Sequence, residues 1–356
     1  MLKTSIIFLL VNKIPIEIIL ISIGRSKQFL GTHVQFIDIN DSQQLFVNET
    51  IMPEVKVGQC LIKIHAIGVN RADLLQRAGK YPPPPGESPI LGLEVCGELV
   101  EIGEGVSNWS VGDKVLGLVA GGGYAEYATI NSEHLIKLPD HLNYQQGAAI
   151  AEVFLTAFQS LFTIANLQPN ENVLIHAGAS GVGSAAIQLA KAIGCNVTVT
   201  VSNDAKAQAC SEFGADNIII YTEQDFVTWK KENFKQGFDV ILDVVGGDYL
   251  NKNIDVAGLD CRIIMLAMLG GRFSEPVDFA KLLGKRINLH ASTLRNRSDD
   301  YKAKLVNDFV SKFLSDFDTG KLKPVIEQVI PWLEADKAHS LMAANKNIGK
   351  YILTIA

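Results

Sequence analysis

Cysteine is scarce and scattered in this sequence. Cys60, Cys96, Cys195, Cys210 and Cys261 are odd in number and far apart, and none belongs to a C-x-x-C pair. That argues against a disulfide scaffold or a zinc site built from thiolates. It fits a reducing compartment, so the expected location is cytoplasmic. Basic clusters are also missing. The formal net charge is -6, and Lys281-Leu-Leu-Gly-Lys285-Arg286 reads as a solvated helix end, so no nucleic-acid partner is expected. Within the first thirty residues no apolar run approaches the roughly 20 uninterrupted residues that a membrane helix needs. Near the start, Ile6–Val11 and Ile18–Ile23 are apolar, but Lys13, Pro15 and Glu17 interrupt them. Met1-Leu2-Lys3 before an apolar run resembles a secretory signal, yet no small-x-small cleavage site follows. Residues 1–31 therefore read as an extension with three open roles: a dispensable lead, a targeting or anchoring segment, or packed structure. No membrane partner is evident, and internal repeats and low-complexity tracts are absent.

What remains is ample for two domains with a sizeable core: 356 residues, 47% hydrophobic and 20% charged. The most informative stretch is Val173-Leu-Ile-His-Ala-Gly178-Ala-Ser-Gly181-Val-Gly183-Ser-Ala-Ala186. An aliphatic run meets a glycine turn that opens into an alanine-rich amphipathic segment, which is the pattern strand, turn, helix. Backbone at such a turn can approach a pyrophosphate, and the helix N-terminus offers free N–H groups and a positive dipole end. The predicted cradle is Ala179, Ser180, Gly181, Val182 and Gly183, with Gly183 letting helix and strand pack closely. Ser180 stands where G-x-G-x-x-G expects glycine. Two other readings stay open: a plain structural turn, and a serine-nucleophile elbow, against which Val182 stands where G-x-S-x-G needs glycine.

The periodicity changes along the chain. From Gln35 to about Pro139 short strands alternate with turns: Gln59–Gly68, Gly97–Gly103 and Val111–Gly117 with Gly112-Asp113 as a turn between them, and Tyr124–Ile130. This half reads as a mostly β, partly closed barrel, with Pro82–Gly86 a rigid exposed loop. Gly147–Asn166 has helical spacing. Strands at 172–176, 196–201, 217–220, 238–243, 261–267 and 286–292 then alternate with helices beginning near Gly181, Asp204, Gln224 and Asp248. Six strands joined by crossovers imply an α/β fold with a parallel, doubly wound sheet. A helix near Tyr301–Leu314 follows. The tail reads as strand Val325–Ile330, helix Leu333–Asn345 and strand Tyr351–Ile355, and is expected to return to the first sheet. The second strand of the series ends in Ser202 and Asn203, where an NAD site usually carries a carboxylate. Asp204 comes late and reads as a helix cap, and Lys206 can reach a 2′-phosphate or can be a solvated helix lysine.

From about His33 onward the chain resembles the zinc-free quinone oxidoreductases of the medium-chain dehydrogenase/reductase superfamily, in particular the tumour-suppressor-inducible branch. The resemblance rests on Asn70-Arg-Ala-Asp73-Leu-Leu-Gln-Arg, Tyr81-Pro-Pro-Pro-Pro-Gly86, Ile90-Leu-Gly-Leu-Glu94, His176–Gly183, Asp243-Val-Val-Gly-Gly247, Leu294-Arg-Asn-Arg297 and Asn345-Lys-Asn-Ile-Gly-Lys350. It implies a GroES-like catalytic domain at 32–155 and 321–356 around a Rossmann NADP-binding domain at 156–320. Zinc-dependent relatives carry cysteine and histidine where this chain has Asn70 and Leu93. Leucine cannot coordinate a metal and an asparagine amide is a poor zinc ligand, so no metal is expected. Without a Lewis acid, an acceptor that takes hydride readily is favoured over a simple alcohol.

In similar enzymes the positions of Ser202, Lys206 and Tyr221 bind the 2′-phosphate, which implies NADPH. The family pattern brings Asn70, Asp73 and Tyr81 to the nicotinamide from the first domain. It brings Thr156, Val245, Gly246 and Met268 from the second and Asn345 from the tail. Tyr81, Asn70 and Asp73 are the catalytic candidates: Tyr81 to stack on a flat partner and donate to its oxygen, Asn70 to hold ribose or substrate. Each also has a plain structural role available: packing the proline loop for Tyr81, a turn for Asn70, a helix cap for Asp73. The implied activity is NADPH-dependent quinone reduction. The alternatives are reduction of an activated C=C bond, as in an enone or enoyl thioester, and a non-catalytic NADPH-binding structural role. The family also implies a homodimer through sheet edges, with Cys261–Ala267 and Ile287–Ser292 as candidates.

Overall fold

In the computed structural model, which describes residues 32–355, the change of periodicity in the sequence separates two sheets. The first half supplies β1 (His33–Ile39), β2 (Leu45–Ile51), β3 (Gln59–Gly68), α1 (Arg71–Arg77), β4 (Glu94–Ile102), β5 (Lys114–Leu118), β6 (Tyr127–Asn131) and β7 (Leu135–Lys137). The middle supplies α2 (Tyr144–Gly147), α3 (Ala151–Phe158), β8 (Asn172–His176), α4 (Gly181–Ala192), β9 (Asn196–Val201), α5 (Asp204–Glu212) and β10 (Asn217–Ile220). Then come α6 (Phe226–Asn233), β11 (Phe238–Asp243), α7 (Tyr249–Val256), β12 (Ala257–Met265), α8 (Phe279–Lys285), β13 (Asn288–Ala291) and α9 (Asp299–Asp318). The tail adds β14 (Ile326–Pro331), α10 (Ala335–Ala343) and β15 (Lys350–Thr354).

The six-stranded sheet has the order β10-β9-β8-β11-β12-β13, every pair parallel, as the crossover pattern required. The order reverses at β8, so the crevice beyond the carboxyl ends of β8 and β11 is where a ligand is expected. The other sheet runs β14-β15-β3-β4-β5-β7, with β6 also on β3, and β1 and β2 form a separate antiparallel pair. Register shifts in β3 at Leu61/Ile62 and Ile64/Ala66 bend that strand and curl the sheet toward a barrel. The tail does return to it, β15 lying antiparallel to β3.

The helical run expected at Gly147–Asn166 is a core element. Phe154 and Phe158 on α3 pack on Phe309, Phe313 and Phe317 of α9, the Phe154 and Phe317 rings 4.9 Å apart. One buried cluster continues from Ala66, Cys96 and Leu116 of the barrel-like sheet through α3 to Val173, Val197 and Leu242 of the parallel sheet. The cleft walls therefore share one core.

Several boundaries differ from the sequence reading. The strand expected at Gly97–Gly103 starts at Glu94, whose charge is met inside the protein by Lys350. The strand expected from Tyr124 starts at Tyr127. The helix α1, seven residues long, was not legible as a periodic segment, while the helix end read at Lys281–Arg286 is the end of α8. Asn203, not Asp204, caps α5, its side chain accepting from the Lys206 N–H. Cys261–Ala267 is not a sheet edge: β12 lies between β11 and β13, and the edges are β10 and β13, the latter within Ile287–Ser292. The expectations for residues 1–31 lie outside the described residues.

Candidate active site

The phosphate cradle is made by backbone. β8 ends at His176, the chain turns, and Ser180 caps α4, its Oγ accepting the Gly183 N–H at 3.0 Å. Ser180 has an ordinary φ of -69°, so glycine is not needed there, and the hydroxyl serves as the cap. At Gly183 a Cβ would lie 2.4 Å from the Ala177 carbonyl oxygen and 2.6 Å from that of Gly178. Only glycine lets the helix start so close to the turn. Beneath it, buried His176 bonds Thr200 Oγ1 at 3.0 Å and Asn253 Oδ1 at 2.7 Å, and Asn253 donates to Asp243 at 3.0 Å. Asp243 in turn accepts the Val245 and Gly246 N–H groups. This chain of bonds ties the ends of β8 and β11 together and fixes the loop that carries Val245.

A cleft of about 750 Å³ opens above the cradle. Asn70, Tyr81, Thr156, Ala179, Ser180, Gly181, Val182, Ser202, Lys206, Tyr221, Val245 and Asn345 all line it. Four expected residues do not. Gly183 acts from behind the turn, as described. Gly246 is turned away, with its N–H on Asp243, and Met268 projects outward, 60% exposed. Asp73, expected as a catalytic group, is sealed beneath the wall. It sits at the third position of α1, where its carboxylate accepts the Asn70 N–H at 2.8 Å and the Tyr124 hydroxyl at 3.2 Å. Its helix-capping role is the one its contacts display. Burial pushes its pKa up to about 7, and its Oδ1 has no partner.

The opposite wall is built from side chains distant in sequence. Lys350, at the head of β15, and Glu94, at the head of β4, form an ion pair of 2.8 Å with side chains 4% and 0% exposed. Lys350 also donates to the Val69 carbonyl at 3.0 Å and to Asn70 Oδ1. Asn70 Nδ2 donates to Glu94 Oε2 at 3.2 Å and to the Gly68 carbonyl at 3.1 Å. Gly68 makes room for this arrangement, since a Cβ there would lie 2.0 Å from Glu94 Oε2. Glu94 Oε1 accepts the Glu152 N–H at 2.8 Å, which carries the network to the start of α3. Every hydrogen-bonding atom of the Asn70 amide is thus engaged by the protein.

Tyr81 reaches the cleft from the loop before Pro82. Arg295 lies over its ring, 5.3 Å from the centroid, and donates to the Tyr81 carbonyl at 3.3 Å, to Gln76 at 2.8 Å and to the Ala120 carbonyl at 2.8 Å. Burial raises the Tyr81 phenol, with the Arg295 charge opposing the shift. At the other end of the cleft Lys206 Nζ donates to the Asn345 carbonyl at 2.7 Å, while Arg71 binds the Asn345 side chain and the Met342 carbonyl. Lys206, Ser202 and Tyr221 therefore share one corner with Asn345.

Sequence reasoning missed Glu94, Lys350, Glu152, Arg71 and Arg295. Two of them carried a signal. Glu94 and Lys350 each head a strand directly before buried apolar residues, Val95-Cys96 and Tyr351-Ile352-Leu353, and a charge there asks for a buried partner.

Comparison with known proteins agrees with this geometry. The alcohol dehydrogenase GroES-like domain profile matches residues 56–140 and the zinc-binding dehydrogenase profile matches residues 181–311. The chain is 31% identical over 310 residues to the human synaptic vesicle membrane protein VAT-1 homolog, covering 83% of this chain and 79% of that one. The Danio rerio counterpart is longer: at 29% identity the match covers 85% of this chain but 65% of that protein. Human quinone oxidoreductase is 28% identical over 311 residues, covering 86% of this chain and 92% of that one. Among solved structures, the CurK enoyl reductase superposes with a TM-score of 0.79 at 25% identity, over 91% of this chain and 99% of that one.

The second profile raises the question of zinc. Leu93 lines the cleft with no donor atom, and the Asn70 amide is held by Lys350, Glu94 and Gly68. No cluster of three or more His, Cys, Asp or Glu side chains suited to a metal occurs among the described residues. The donor set does not fit a catalytic zinc. A dinucleotide does fit: the cradle offers N–H groups at a capped helix start, and the cleft continues from it to Thr156, Tyr81 and Asn70.

Proposed function

Because the chain belongs to the medium-chain dehydrogenase/reductase superfamily, we propose that it is an NADPH-dependent reductase that transfers hydride to a quinone without a metal. The observation that carries this reading is the wall of the cleft at Asn70, where a saturated amide network and Leu93 stand in place of metal donors. The chemistry supplied by the bound cofactor is hydride donation. The chain's own task is then to hold two flat partners against each other and keep water from competing, which proximity can largely achieve with an acceptor this reactive.

Named roles follow from position. The N–H groups at the start of α4 would receive the pyrophosphate. Ser202, Lys206 and Tyr221 would receive the 2′-phosphate, with Lys206 exchanging the Asn345 carbonyl for phosphate oxygen. Thr156, Val245 and Asn70 would border the nicotinamide. Tyr81, its ring held by Arg295, would stack on the acceptor. The similarity to quinone oxidoreductase supports a quinone. The likeness to an enoyl reductase supports a second reading, reduction of an activated C=C bond. We also propose a homodimer paired through β13, whose open edge offers unpaired backbone groups, and a reducing, cytoplasmic setting for the five buried, unpaired cysteines.

A competition assay separates the two acceptors. With NADPH saturating, a quinone and an enone are presented together and both products are quantified. Preferential quinone reduction is expected, and exclusive enone reduction would move the assignment to the second reading. Absence of both products, with NADPH bound, would leave the non-catalytic binding role.

A further inference from the structure

The reductase reading accounts for the hydride but not for the proton that must accompany it. Of the ionisable groups on the cleft surface near the expected reacting end, Lys350, Arg295 and Arg71 are committed to protein partners, which leaves Tyr81 and Glu152 as proton donors. Glu152 was not singled out by any motif. It lies in the first turn of α3, one helical turn before Thr156, whose hydroxyl donates to Glu152 Oε1 at 3.3 Å. Its own N–H is anchored on Glu94 Oε1 at 2.8 Å, so the helix start cannot drift. Its other carboxyl oxygen has no partner among the described residues and is left to the cleft.

We propose that Glu152 is the catalytic acid of this site, delivering from its carboxyl group the proton that completes reduction of the acceptor. The inference rests on the reductase reading above and deepens it. In the balanced reaction, the hydride that a bound dihydronicotinamide would supply forms an O–H bond at one quinone oxygen and leaves the negative charge on the other. The resulting hydroquinone anion takes the proton as the Glu152 O–H bond breaks and a hydroquinone O–H bond forms. The carboxylate left on Glu152 regains its proton from water entering the open side of the cleft.

The electrostatics agree with the geometry. The groups that face Glu152 are Glu94 on β4, Lys350 on β15, Asp73 on α1 and Tyr81 on the loop before Pro82. Burial is the largest influence and raises the Glu152 carboxyl. Glu94 adds to the rise, while Lys350 and the Thr156 hydroxyl oppose it. Lys350 is already committed to Glu94 and Asn70, so it does not hold Glu152 as a carboxylate in an ion pair of its own. Tyr81 is the weaker donor of the two, because burial moves its phenol away from neutrality rather than toward it. A carboxylic acid shifted toward the working pH is the better matched general acid.

The test is a pH profile of kcat with saturating NADPH and a 1,4-quinone for the wild type, Glu152→Gln and Thr156→Val, alongside NADPH binding followed by fluorescence. The wild type should lose rate as pH rises and the acid ionises. Glu152→Gln should lower kcat by about a hundredfold or more, abolish the alkaline limb and leave NADPH affinity within about threefold. Thr156→Val removes a donor that favours the carboxylate, so the limb should move to higher pH; this variant carries the test if Glu152→Gln does not fold. An unchanged kcat and limb in Glu152→Gln, or an unmoved limb in Thr156→Val, would overturn the proposal. So would loss of NADPH affinity in step with rate, which would make Glu152 a binding group. A wild type that binds NADPH but reduces neither quinone nor enone would refute the reductase reading itself, and the proton assignment with it.

Discussion

The two walls of the cleft are made in different ways. The cradle side is backbone: consecutive residues, 176 to 183, whose N–H groups, cap and glycine together make a helix start open to an anion. The opposite side is side chain: residues 70, 94, 152 and 350, brought together because β3, β4 and β15 pair in one sheet and α3 begins against it. A backbone site is local in sequence and tolerant of its neighbours. A side-chain site is held by partners that cannot be removed singly.

That contrast predicts where a substitution does most damage. The largest effect should come from Lys350→Met, which leaves the Glu94 carboxylate buried without its cation. Such breakage costs about 3–5 kcal/mol, to be read by chemical denaturation. Adding Glu94→Gln should restore much of the loss. If the double variant is no more stable than the single one, the wall is not organised around this pair.

Asp73 gives a second, pH-dependent effect on the same side. Its native pKa is about 7, above its unfolded value, so its contribution is complete at low pH and is lost as pH rises through about 7. The loss can proceed at up to about 1.4 kcal/mol per pH unit. Asp73→Asn should flatten the fall in stability between about pH 4 and 7, the window in which only the unfolded form is ionised. An identical slope in the variant would mean that Asp73 stays ionised in the folded protein. The smallest effect should fall on the backbone side. Ser180→Ala removes one cap hydrogen bond, and a destabilisation of about 1 kcal/mol is expected. A loss comparable with that of Lys350→Met would erase the contrast between the walls.

The same contrast explains what could be read in advance. The parallel sheet and its cradle were legible because hydrophobic period, glycine spacing and helix start occur within about 15 consecutive residues. The return of the tail to the first sheet was legible because its isolated strands needed partners. Asn70 and Tyr81 were legible only through resemblance. Glu94 and Lys350 lay inside recognised segments without a role, because nothing local tells a charge at a strand head that its partner lies 256 residues away. Asp73 illustrates the reverse error. An acidic residue in a segment resembling a family motif read as a catalytic candidate beside its plain role as a helix cap, and its contacts are those of the cap.

The central claim is that the corner holding Ser202, Lys206 and Tyr221 receives the 2′-phosphate of NADPH, whose hydride then leaves for a quinone. The most direct measurement is quinone-dependent oxidation of NADPH and of NADH, in parallel, by the wild type and Lys206→Ala. The account predicts NADPH-preferring turnover in the wild type and a preference reduced about tenfold or more in the variant, chiefly through KM, as expected for loss of a charge-assisted hydrogen bond. Equal use of both cofactors by the wild type, or a preference that survives Lys206→Ala unchanged, would contradict it.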